Sequence, residues 1–142
     1  MNQANRNLIA LAARVPLAGL FLFSGFNKIF NFAATQEYMA SAGVPATAVL
    51  LVLTIVLELV AGTMILIGYQ AMLAAGALII FLIPVTLIFH NPLAYTDPLA
   101  VQHHTIHLVK NLAIIGGLLH IMAFGGGAWS VQSQPALGAQ FH

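Results

Sequence analysis

Six polar side chains stand where hydrocarbon would be expected. Arg14, Lys28, Glu58, His90, Lys110 and Asn111 lie inside, or at the ends of, stretches otherwise built from Leu, Ile, Val, Ala and Phe. An ionisable group within a membrane span costs about 2.5–3.5 kcal/mol on insertion scales, so each one needs a partner or a task. Lys, Arg and His donate hydrogen bonds to an anion or to a quinone oxygen, and His also carries a proton. A second group, His103, His104 and His107, opens the last apolar stretch with the i, i+4 spacing that lets two imidazoles share a metal ion. Lys28 and Lys110 would repel a cation there, and no carboxylate stands beside these histidines. Metal or haem is therefore the disfavoured alternative. The sequence has no cysteine, which excludes disulfides, thiolate ligands, Fe–S clusters and thiol redox chemistry within the chain.

The elements that must position these groups are membrane helices. In 142 residues, 61% are hydrophobic and 5% are charged, against about 25% charged in soluble domains. A water-soluble surface cannot be assembled from so few charges, so the bilayer is the solvent. A single domain over residues 1–142 is expected, with spans at about 8–30, 46–68, 71–89 and 103–124. Each approaches the roughly 20 residues that cross a hydrocarbon core. Long apolar runs without alternation exclude a barrel, which leaves an all-α, four-helix membrane bundle. Pro16 reads as close enough to a helix start to be tolerated, and Pro84 as a late kink. Gly68-Tyr69-Gln70 is a tight hairpin. Phe32 to Ala42 reads as either a short interfacial helix or an ordinary loop. Asn91-Pro92 and Asp97-Pro98 mark an irregular loop. The first stretch is too long and too charged for a cleaved signal and reads as a retained span. From Ala128 onward a short tail is expected, polar after Trp129, itself a candidate interfacial anchor.

Depth along these spans gives a geometry. Arg14, six residues into the first span, and Glu58, twelve into the second from the other side, both fall about 18–24 Å below the same face. Opposite charges at matching depth on adjacent helices should pair, so an Arg14–Glu58 ion pair is predicted. Lys28 shares a helical face with Arg14, Phe21 and Gly25. His103, His107 and Lys110 share another, with His104 and Asn111 at its edge. Together with His90 they outline a funnel open to one side of the membrane, with Arg14–Glu58 as its floor. His120 falls off that stripe.

The same residues resemble the DoxX family from about Arg14 to Ser130. The resemblance rests on Arg14 followed by Leu20-Phe21-Leu22-Phe23-Ser24-Gly25-Phe26-Asn27-Lys28, on Leu57-Glu58-Leu59-Val60-Ala61-Gly62 with Leu66-Ile67-Gly68, and on Phe89-His90. It continues in Lys110-Asn111-Leu112-Ala113, Gly116-Gly117-Leu118-Leu119 and Gly127-Ala128-Trp129-Ser130. The family takes its name from a membrane subunit associated with thiosulfate:quinone oxidoreductase. The resemblance thus implies a four-helix membrane fold and a link to membrane oxidoreductase complexes. The histidine-rich start of span four is not part of that resemblance.

The expected function is the membrane subunit of a quinone-linked oxidoreductase, with Arg14, Lys28, Glu58, His90, Lys110 and Asn111 lining a site for a quinone headgroup or a small anion. Quinone is the candidate cofactor, bound non-covalently, and a protein partner would supply electrons. A small transporter or proton-coupled module is the alternative, and a non-catalytic accessory subunit the third reading. Nothing in the charge pattern suggests nucleic acid, and a homo-oligomer is compatible with the sequence. Arg6 and Arg14 lie toward one side, and Glu37, Asp97 and one flanking Lys28 toward the other. The positive-inside rule then places both termini in the cytoplasm of a bacterial-type inner membrane.

Overall fold

The computed structural model describes residues 2–127 and 129–132. The described residues form five α-helices, α1 (Gln3–Phe30), α2 (Phe32–Ser41), α3 (Thr47–Ile67), α4 (Ala71–Phe89) and α5 (Pro98–Phe124), with one 3₁₀ turn at Pro92–Ala94. Four of the helical segments are long and apolar enough to cross a membrane, with mean hydropathy of 1.8, 2.6, 2.6 and 1.6. The protein is an all-α membrane bundle with four spans, whose spanning helices contact the lipid bilayer. Of the expected polar tail, the part beyond Gln132, and Ala128 itself, lie outside the described residues.

Local chemistry sets the helix ends. The Asn2 side chain accepts from Asn5 N and caps α1, satisfying one of the backbone donors that a helix start leaves open. Gly68, at φ +72°, ends α3 in the left-handed region and makes the hairpin into α4, a conformation that glycine adopts without strain. The Asp97 side chain accepts from Ala100 N, and Pro98 occupies the first turn of α5.

Several boundaries differ from expectation. Span four begins at Pro98 rather than His103. Asp97-Pro98 is an N-cap followed by a first-turn proline, a pairing that starts helices as readily as it marks loops. Span one begins at Gln3, so Pro16 sits well inside α1 rather than near its start. Proline within a membrane helix is tolerated where neighbouring groups satisfy the carbonyl it frees. The segment after span one is a helix, α2, and not an ordinary loop.

The helices pack α1 on α3, α3 on α4 and α4 on α5. Small residues let α1 and α3 approach closely. Ala18 and Gly62 are buried, and a Cβ at Gly25 would come within 2.8 Å of the Leu59 side chain. Small residues at helix crossings supply the packing that replaces the hydrophobic effect in lipid. Gly25→Leu is accordingly expected to wedge this crossing open and cost about 1–3 kcal/mol. Reversible unfolding in mixed micelles measures it, and an unchanged stability would mean that the α1–α3 seam is not close-packed in the bilayer. Ala18, Phe21, Ile65, Ala75, Leu78 and Leu118, each at most 2% exposed, form the centre of the bundle. That centre separates two polar regions, one toward the end bearing α2, the other toward the start of α1 and the end of α5.

Candidate functional site

The first element of the site lies on the α1–α3 seam. Lys28 Nζ donates to Glu58 Oε1 and Oε2 at 3.1 and 3.0 Å and to Ser24 Oγ at 2.5 Å. Ser24 Oγ in turn donates to Glu58 Oε1 at 3.1 Å. The Glu58 side chain is 5% exposed and that of Lys28 22%, so the carboxylate is committed and the ammonium keeps an edge toward open space.

The expected Arg14–Glu58 pair is therefore replaced by Lys28–Glu58. Side chains on a helix lean toward its N-terminus. Lys28, near the end of α1, reaches back into the bundle, whereas Arg14 reaches away from Glu58 toward the termini. The packing of Gly25 against Leu59 and Glu58 puts Glu58 level with the Ser24 turn. Arg14 then lies about 15 Å further along α1. Depths counted from the span ends do not match across this seam because α1 and α3 are offset along their axes.

Arg14 belongs to the other polar region. It is 3% exposed and donates to Gly126 O, to Trp129 O at 2.7 Å and to Ser130 Oγ at 2.6 Å. It ties the segment after α5 down over the α3–α4 hairpin, where Val131 N donates to Ile67 O and Gln132 N to Gly68 O. Arg14 is not part of the pocket wall and does not floor it.

The second element of the site comes from α4 and α5. Buried Asn111 Nδ2 donates to Thr86 Oγ1 at 2.9 Å, which joins the two helices. Lys110 Nζ lies 3.1 Å from His107 Nδ1, and His107 Nε2 lies 3.2 Å from His103 Nε2. The His90 ring stacks on His107, with centroids 4.7 Å apart and planes 12° from parallel. Tyr95 stacks on His104 at 4.1 Å. His120, by contrast, is exposed and lies against the Phe124 ring.

Between these elements is a cavity of about 990 Å³. Lys28, Glu58, His90, His107, Lys110 and Asn111 all contribute to its wall, the rest of which is largely apolar, including Phe21, Leu57, Leu82 and Ile114. Five of the six residues singled out above thus share one space, and Arg14 is the exception. Tyr38 of α2 also borders the cavity and stacks on Phe89 at 5.3 Å. Burial, with Tyr95 adding to it, pushes the Tyr38 phenol above its ordinary range, so it remains a neutral hydrogen-bond donor. Sequence reasoning passed over Ser24, Thr86 and Tyr38 as site groups. Ser24 had a visible signal, since it stands one turn before Lys28 on the same face. Nothing local pointed to Tyr38, whose place depends on where α2 packs.

The DoxX family profile matches residues 9–91, more than half of the chain. The chain belongs to the DoxX family. Among its relatives are two proteins of Escherichia coli K12. Inner membrane protein YphA is 30% identical over 128 residues, which is 90% of this chain and 91% of that protein. Inner membrane protein YqjF is 34% identical over 125 residues, 85% and 87% of the respective chains. No solved structure gives a significant match. The segment matched to DoxX contains Arg14, Ser24, Lys28, Glu58 and His90. It includes the ion pair on the seam and the anchor at the terminal end, while the α5 contribution of His107, Lys110 and Asn111 falls beyond it.

Proposed function

We propose that this DoxX-family chain is the ligand-binding membrane subunit of a quinone-linked oxidoreductase. Its pocket would receive a quinone headgroup or a small anion, and a partner protein would exchange the electrons. The observation that carries this reading is the pocket itself. Its volume of about 990 Å³ lies at the upper end of the roughly 300–1,000 Å³ typical of small-molecule sites. Its wall is mostly apolar, and its polar groups gather at Lys28–Glu58 and at Lys110, His107 and Asn111.

The residues fit a quinone in kind. Charge on Lys28 is offset by Glu58, whereas Lys110 has His107 as its hydrogen-bond partner and retains two hydrogens to donate. A donor-rich, net cationic head with apolar walls suits a carbonyl or anionic oxygen on an apolar body. Bound quinone would supply the electron-carrying chemistry, and the chain's own side chains would bind and orient it. The closed centre around Phe21, Ile65, Leu78 and Leu118 supports binding at a blind pocket over conduction of a solute through the bundle. With the termini on the cytoplasmic side, as Arg6 and Arg14 favour, the pocket faces the opposite side of the inner membrane.

The test is binding of decylubiquinone to the purified chain in lipid nanodiscs, followed by thermal stability and by isothermal titration. Wild type is expected to be stabilised as the quinone saturates it. Lys110→Met, which removes a donor without touching the bundle centre, is expected to bind about tenfold more weakly. Equal affinity in the variant, or no binding by wild type, would remove the reading.

A further inference from the structure

We infer that Lys110, His107 and His103 form a proton path leading from the pocket to the exposed start of α5, polarised to carry protons outward. The inference rests on the pocket reading above and concerns how protons would leave a ligand held there. Half-buried His107 and Lys110, whose side chain is itself exposed, border the pocket, whereas His103 is exposed and outside its wall. The contacts between them, 3.1 and 3.2 Å, are hydrogen-bond distances.

The direction follows from what each group can do. A lysine ammonium has donors and no acceptor. The contact to His107 Nδ1 therefore makes that nitrogen an acceptor, and the ring proton of His107 must sit on Nε2. That proton points at His103 Nε2, which must accept it, so the proton of His103 is on Nδ1. Each ring is then loaded on its far side. A proton passes from Lys110 Nζ to His107 Nδ1, the Nε2 proton of His107 moves to His103 Nε2, and the Nδ1 proton of His103 leaves to water. Lys110 is reprotonated from the pocket, and turning of the two rings resets the path. One proton leaves per passage, with no oxidant or reductant involved in the transfer.

The same tautomers argue against the metal reading of this pair. Two imidazole nitrogens bound to one tetrahedral zinc lie about 3.3 Å apart, so the separation alone would suit an ion. A metal on His107 Nε2 needs the ring proton on Nδ1, where Lys110 is donating. The ion would have to break that hydrogen bond and then sit beside a cation.

Other ionisable groups facing His107 are His90, stacked from the end of α4, and His104, while Tyr95 covers His104 from the 3₁₀ turn. Across the pocket, Lys28 and Glu58 are paired to each other. No carboxylate touches the path among the described residues, so nothing holds the proton part-way along it.

Two measurements test the path. Nitrogen NMR of histidine-labelled protein in nanodiscs is expected to show His107 as the Nε2–H tautomer, shifting in Lys110→Met. Separately, an alkylated hydroxynaphthoquinone, whose colour reports its own protonation, is bound in the pocket and subjected to a rapid pH drop and rise. Deprotonation of the bound probe is expected to be about tenfold slower or more in His103→Ala and in His107→Gln. The affinity of His103→Ala should be unchanged, and added imidazole should restore its rate. Equal rates in wild type and His103→Ala, or a His107 proton found on Nδ1, would overturn the path. Failure of the probe to bind wild type would sink the pocket reading instead, and the tautomer measurement would still decide the hydrogen-bond chain.

Discussion

Lys28→Met is expected to destabilise the folded chain by about 3–5 kcal/mol, because it leaves a carboxylate without a counter-charge inside the bundle. The Glu58 side chain is 5% exposed. Its remaining partner would be Ser24 Oγ at 3.1 Å, one neutral hydrogen bond in place of three groups bound together. Replacing both members, as in Lys28→Met with Glu58→Leu, is expected to recover most of that loss. An apolar pair of similar size needs no desolvation, and well-packed replacements of buried ion pairs are often neutral. A double-mutant cycle on reversible unfolding in mixed micelles measures both effects. Additive losses would show that the two residues do not interact in the bilayer. The double variant also separates two roles of the pair. If Lys28 and Glu58 only clamp α1 to α3, it folds and still binds decylubiquinone. If they line the head of the site, it folds and binds at least about tenfold more weakly.

The parts of this architecture that depend on short-range chemistry were legible from residue order. Four spans followed from apolar run length, the hairpin from Gly68, and the shared face of His103, His107 and Lys110 from helical periodicity. Even the pocket followed in outline, since Lys28, Glu58, His90, Lys110 and Asn111 do border one cavity. What residue order did not carry was the axial offset between helices. Counted from the expected span ends, Arg14 and Glu58 fall at similar depths below one face, yet α1 begins at Gln3 and packs so that Ser24, not Arg14, faces Glu58. That offset is set by the fit of Gly25 to Leu59 and of Gly62 to Leu22, a matter of shape between two helices. A second rule was available and decisive: helical side chains lean toward the N-terminus. It sends Lys28 inward and Arg14 outward.

Arg14→Met is expected to release the segment that follows α5. The guanidinium holds that segment through Gly126 O, Trp129 O and Ser130 Oγ, and methionine replaces none of these bonds. Charge-assisted hydrogen bonds contribute about 1.5–3 kcal/mol each, but relief of the desolvation of a 3% exposed cation offsets part of their loss. A net destabilisation of about 3 kcal/mol follows. The sharper readout is Trp129, the chain's single tryptophan, which already shows 54% of its surface. Release of its carbonyl frees the backbone, so its emission should become fully accessible to a water-soluble quencher such as acrylamide. Arg14→Lys keeps the charge but not the planar fork that reaches several acceptors at once, and should give an intermediate result. Gly68→Ala should release the same segment from the other side. Its φ of +72° disfavours a side chain, and a Cβ there would collide with Ser130 and crowd Arg14 Nη1. If Trp129 stays equally protected in Arg14→Met, the backbone bonds of Val131 to Ile67 and Gln132 to Gly68 suffice to hold the segment. Arg14 would then be a passenger at that end of the bundle. If protection is lost in both variants while decylubiquinone binding is kept, the two polar regions are independent, as the apolar centre between them requires.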